Sequence, residues 1–155
     1  TPPCKLLASA GGPGTSGSTW SLNKSANYAA GATQWTPAAR NPFSYFMDSF
    51  HYSLASAKRF GHLPDQHAAA ATAACLTLEV GIEQADSTVP RWVRDSLAVL
   101  DVNTFFGEIK FDARGANTAK SVYVQQVQAG RTVLVWPPAF ASAAPRYLDP
   151  GWAQR

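Results

Sequence analysis

The sequence predicts an α/β protein with more helix than its own strands can cover, and three observations carry that reading. Between residues 42 and 100, three consecutive stretches place apolar residues at helical spacing. The strand-like stretches fall at the two ends of the chain, "CKLLAS" and "NYAAGATQW" before the helices and a strand meander after Asn103. No complete strand–helix–strand series is present, so the pattern reads as part of a larger arrangement of sheet and helices.

Each element follows from its residues. "CKLLAS" is a short apolar strand, ended by "AGGPGTSGS", where glycine and proline mark a loop that needs unusual dihedrals or close approach to a partner. "NYAAGATQW" is a second strand, and "TPAARNP" is a turn-rich connection. From Pro42 the period changes. Phe43, Phe46, Met47, Phe50, Leu54 and Ala57 form one helical face, and Arg59, Gly61 and Pro64 close that helix. A second helix is expected from about Asp65 to Ala85. It is dominated by alanine and carries no charge between Asp65 and Glu79, which reads as a buried helix with its first turn directed at something. Thr88 is the expected N-cap of a third helix, with Pro90 in its first turn and Val93, Leu97 and Leu100 along one side. After Asn103, "FFGEIKFDARG" reads as a strand ending in an Asp-Ala-Arg-Gly turn. "KSVYVQQVQAGRTVLVWPP" reads as a hairpin turning at Ala129–Gly130.

Composition narrows the function. The chain has 155 residues, 46% hydrophobic and 15% charged, which fits one ordered domain with a real core. Its net charge of +3 comes from thirteen scattered basic residues that form no stripe, so no nucleic-acid partner is expected. No apolar run is long enough to span a membrane, and no signal-peptide pattern stands at the start of this sequence. Cys4 and Cys75 lack C-x-x-C spacing. Cys75 is expected to be a small buried hydrophobe, and a bond between the two cysteines stays open.

Catalytic patterns are missing too. There is no G-x-S-x-G, no H-E-x-x-H and no histidine pair on one helical face, and the glycine loop lacks the Lys-Ser/Thr ending of a P-loop. Neither catalytic residues nor a metal or cofactor is expected. Binding residues are. His67 and Gln66 open the alanine-rich helix, where backbone N–H groups and the helix dipole favour an anion such as a ligand carboxylate. The plainer alternative is that Asp65 caps this helix and His67 packs. Gln34 and Trp35 stand at a strand end, where open α/β sheets bind ligands, although Trp35 could equally be core.

Taken in order, "ANYAAGATQWTP", "PDQHAAAATAACLTLEVGIEQADSTVPRWVRDSLAVLD" and "NTFFGEIKFDARGANTAKSVYVQQVQAGRTVLVWPP" resemble the C-terminal portion of type I periplasmic substrate-binding proteins of ABC transporters, in the branched-chain amino acid group. The resemblance runs from about Lys5 to Pro138. It implies a partial periplasmic-binding-protein type I fold, with three helices plus a strand meander from an incomplete two-lobe clamshell. Residues 1–35 would end the second lobe and enter the hinge, 36–104 would be helices of the first lobe, 105–137 would return to the second lobe, and 138–155 would be a tail. By the same resemblance Ala10, Gly11, Gly12, Gln66 and His67 would face the ligand. Thr72 stands where many members have an aromatic residue, and the acidic side chain that some members carry in the first loop is absent. The implied function is capture of a small amino-acid-like or carboxylate ligand, in the periplasm or outside a bacterium, for an ABC permease. The implied protein partners are a missing N-terminal lobe or a second copy. A different reading of the same helices is a shortened homologue that binds no solute and associates through exposed apolar faces.

Overall fold

The computed structural model describes residues 7–9, 26–39 and 45–147. Along the chain these form β1 (Leu7–Ser9), β2 (Ala29–Thr33), α1 (Ser49–Phe60), α2 (Gln66–Ala85), α3 (Pro90–Ala98), β3 (Asp101–Thr104), β4 (Gly107–Lys110), β5 (Tyr123–Gln128) and β6 (Arg131–Trp136). The chain divides into two compact units. Unit 1 comprises Thr1–Ala38 and Val122–Arg155, and unit 2 comprises Ala39–Ser121.

Unit 1 is a four-stranded sheet in the order β1-β2-β5-β6. β1 runs parallel to β2, whereas β2–β5 and β5–β6 are antiparallel. The hairpin turn falls on Ala129–Gly130 as the sequence predicts, and both residues have positive φ, 52° and 73°. Such a two-residue turn matches the right-handed twist of the strands it joins, and glycine reaches it without strain. Val124 faces Trp136 while Gln125 faces Leu134, so β6 carries one extra residue at that step. Tyr123, Val127, Leu134 and Val135 fill the core of this unit together with Trp35. Gln125 and Gln126, which read as polar strand residues, are buried as well.

Unit 2 holds the three helices and the β3–β4 hairpin. Asp48 caps α1 by accepting from the His51 backbone N–H, and the helix ends at Gly61, the residue the sequence marks as its stop. The buried side of α1 differs from the expected one. Its inward residues are Ser49, Tyr52, Ser53 and Ser56, while Phe46, Phe50 and Leu54 are each 50% exposed. Small serines let α1 approach closely. Ser49 donates to the Phe105 carbonyl at 2.7 Å, and Ser53 donates to the Ser49 carbonyl at 2.7 Å. The Tyr52 ring stacks on Phe105 with centroids 4.0 Å apart.

Alanine helix α2 packs by its Ala69, Ala73, Leu76, Thr77, Val80 and Gly81 face. The opposite face, with Ala71, Ala74, Cys75 and Leu78, is exposed. The expectation that Cys75 is buried therefore fails: it is an exposed free thiol, on a face of α2 that no other element covers among the described residues. Gly81 is where α3 comes nearest, since a Cβ built there would stand 2.6 Å from Leu97 Cδ2. Gly81→Val should cost about 1–3 kcal/mol by overpacking, read as a lower urea midpoint. Gly81→Ala should cost less than Gly81→Val, because about 1 kcal/mol of helix propensity offsets the shift forced on Leu97, whose Cδ2 and Cγ would stand 2.6 and 2.9 Å from the new Cβ.

Two further boundaries differ from the sequence reading. The N-cap of α3 is Val89 rather than Thr88, with Pro90 in the first turn and the Val89 N–H donating to Ser87 Oγ. The strand expected after Asn103 begins at Asp101 and turns at Phe105–Phe106, both of which are buried. The Asp-Ala-Arg-Gly turn forms as expected. Asp112 accepts from the Arg114 and Ala116 N–H groups, and these bonds hold its carboxyl below the usual carboxylate range. The hairpin and this turn stay with unit 2, and the chain passes back into unit 1 at Val122.

Candidate ligand-binding site

Of the residues singled out in the sequence, Ala10, Gly11 and Gly12 lie outside the described residues. Gln34 and Trp35 belong to unit 1 and follow β2 directly. Thr33 Oγ1 donates to the Trp35 carbonyl at 2.8 Å, which turns the chain out of the strand. Gln34 is exposed there, whereas Trp35 is only 2% exposed and belongs to the core of unit 1. The core alternative describes Trp35.

Gln66, His67 and Thr72 belong to unit 2 and lie within the first two turns of α2. The helix starts at Gln66 because Asp65 is a strong N-cap, its Oδ1 accepting from the backbone N–H groups of His67 and Ala68 at 3.0 and 2.9 Å. This changes the expected chemistry. The N–H donors that would meet an incoming anion are engaged by the chain's own carboxylate, which also offsets the positive end of the dipole. Recognition of an anion at this helix end then falls to side chains, and the His67 side chain is exposed.

Thr72 is tied into the packing. Its hydroxyl donates to the Ala68 carbonyl at 3.1 Å and meets the Tyr52 hydroxyl at 2.9 Å. The Tyr52 hydroxyl also reaches the Ala68 carbonyl at 3.3 Å. Tyr52 thus braces the first turns of α2 from α1. Sequence reasoning passed it over because it falls off the Phe46–Phe50–Leu54 stripe. The aromatic ring that the resemblance places a turn after His67 is absent, and a pair of hydroxyls occupies that region.

Unit 1 also bears an open groove of about 210 Å³, walled by Ala30, Val124, Val135, Trp136, Pro145 and Tyr147. The amide of Gln126, which also lines it, is spent on the chain. It donates to the Tyr28 and Arg146 carbonyls and accepts from the Arg146 N–H and from Gln128. The groove offers a ligand mainly apolar contact.

Among the described residues, no three His, Cys, Asp or Glu side chains come together as a metal site, and no helix is long and apolar enough to cross a membrane.

No protein-family model matches the chain. Solved structures do. A leucine binding protein, LivK, from Thermotoga maritima superposes with a TM-score of 0.59 at 22% identity, over 72% of this chain and 31% of its own. A solute binding protein of an ABC transporter from R. palustris, in complex with benzoate, gives 0.67 at 16% identity, over 92% of this chain and 38% of its own. An ABC transporter substrate-binding protein from Desulfitobacterium hafniense, in complex with Leu, gives 0.56 at 21% identity, over 70% and 31%. These neighbours are binding proteins, and this chain spans about a third of their length. At such identities the likeness is one of fold: the chain carries, in part, the type I periplasmic-binding-protein fold of ABC transporters.

Proposed function

We propose that the chain is the later part of an extracytoplasmic solute-binding protein that captures a small amino-acid-like or carboxylate ligand for ABC import. The fold likeness to binding proteins supports this reading, and the observation that carries it is the end of α2. There a strong cap fixes the helix start and leaves the His67 side chain exposed beside Gln66. In this reading His67 and Gln66 hold the ligand's polar end, and Gln34, Ala10, Gly11 and Gly12 are kept as further candidates for ligand contact. Thr72 acts with Tyr52 as a polar wall in place of an aromatic one. The protein is a binder rather than an enzyme and needs no cofactor. A ligand favours the conformer that it binds best, and the population shifts toward it.

A thermal-shift screen over amino acids, small carboxylates, amides and aromatic acids tests the proposal. At a hundredfold its Kd, a ligand should add about 2.7 kcal/mol, or roughly 5–10 °C in Tm. His67→Ala should then weaken binding about tenfold, near 1.4 kcal/mol. Absence of any shift across the screen, or a His67→Ala protein that binds as the wild type does, would sink the assignment.

One observation favours a second reading. The exposed stripe Phe46, Phe50 and Leu54 on and before α1 fits a chain that associates through its helices and binds no solute. Its test is solution size.

A further inference from the structure

Lys120 is the penultimate residue of unit 2, since the chain passes into unit 1 at Val122. Its ammonium sits over the Phe106 ring, 3.4 Å from the centroid, and donates to the Phe106 carbonyl. One side chain therefore holds the end of unit 2 to the β3–β4 turn by two contacts with a residue fourteen positions earlier. No carboxylate joins it: the ion pairs among the described residues are His51–Asp48, Arg94–Asp95, Lys110–Asp101 and Arg114–Asp112.

A partly buried ammonium without a counter-charge is costly. Burial alone lowers the Lys120 pKa to about 8. The charged groups on the surrounding elements are Glu108 and Lys110 on β4, Asp112 and Arg114 in the following loop, and Asp48 and His51 at the start of α1, and none of them forms an ion pair with Lys120. A methionine would fill similar space without this cost, so what the lysine adds is geometry.

We propose that Lys120 is a positioning residue whose ammonium, seated on the Phe106 ring and carbonyl, fixes the point where the chain leaves unit 2, at the expense of stability. The rest of the nearby loop is held less directly. The Thr118 N–H donates to the Lys110 carbonyl and the Ala119 N–H to Asn117 Oδ1, so the Lys120 contact is the last tie before the crossing. The role concerns the chain itself and stands whether or not the protein binds solute.

The test combines stability with amide hydrogen exchange on the ligand-free chain. In the folded state Lys120 releases its proton near pH 8, below the 10.5 of an unperturbed lysine. The unfolded chain then binds the extra proton between those values, so wild-type stability should rise across that window and Lys120→Met should lose that rise. At pH 7, Lys120→Met should be no less stable than wild type. Its Phe106, Thr118 and Ala119 amides should nevertheless exchange about three- to tenfold faster after correction for intrinsic rates, as expected for loss of a cation–π contact. Lys120→Arg, which stays charged, should keep that protection to pH 10, where wild type loses it. A Lys120→Met protein with unchanged local protection overturns the proposal. So does a Lys120→Arg protein that loses protection along the wild-type pH profile. The arginine comparison decides alone if the methionine variant does not fold.

Discussion

Replacing Phe105 by alanine should cost about 3–5 kcal/mol, the largest single loss we expect from any substitution in unit 2. Phe105 is fully buried at the β3–β4 turn, and its ring stacks on Tyr52. Its backbone carbonyl accepts from Ser49, so the residue joins the hairpin to the N-terminus of α1 by both ring and main chain. Truncation would remove the ring, leave a cavity and free Tyr52. Because Tyr52 braces α2 through Thr72 and Ala68, the damage should reach the candidate site. Urea unfolding gives the size of the loss, and amide exchange in the first turns of α2 gives its spread. Phe105→Leu should recover more than half of the stability by refilling the volume without the stack. A Phe105→Ala chain within 1 kcal/mol of wild type would mean that the stack contributes little to unit 2.

The second large effect concerns the outward stripe of α1. Phe46, Phe50 and Leu54 are one helical turn apart in sequence and half exposed, and α2 adds Leu78 on a side with no covering element among the described residues. The first half of α2 is rich in alanine and carries no charge before Glu79, and one face of it meets solvent. We therefore expect the chain to sediment as a species larger than 16.6 kDa at high micromolar concentration and to approach that mass on dilution. Phe46→Ser, Phe50→Ser and Leu54→Ser together should give a monomer at every concentration. Each exposed replacement should change the stability of the chain by no more than about 0.5 kcal/mol. If the triple variant is monomeric and also shows the ligand-induced shift, solute binding and association are separate properties. A wild-type chain that is monomeric throughout would exclude the associating reading.

Element existence was legible in the sequence because it rests on local rules. Gly61 and Pro64 stop α1, Asp65 starts α2, Pro90 opens α3, and Ala129–Gly130 turns the last hairpin, and each acts within a few residues of itself. Three apolar helices without strands between them also led us to expect a partial fold, and the chain spans about a third of the length of the solved structures it resembles. The order of these motifs pointed to a fold that solved structures share.

Burial was decided only in three dimensions. An apolar stripe says that a helix has a face to cover, but not that a partner is present. The α1 stripe looks outward, while its serines face inward, where small hydroxyls bond to carbonyls of neighbouring chain. Cys75 is exposed for the same reason, and Gln125 and Gln126 are buried although polar. The candidate site shows the same division. Sequence placed Gln66 and His67 at a helix start and offered Asp65 as its cap, but that Tyr52 grips Thr72 and that Lys120 rests on Phe106 are contacts across 14 to 20 residues of chain, set by packing. Sequence fixes which residues can start, stop or turn an element, because those energies are local. Which face is buried, and which polar atom finds a partner, depends on neighbours far along the chain, and only the folded structure brings them together.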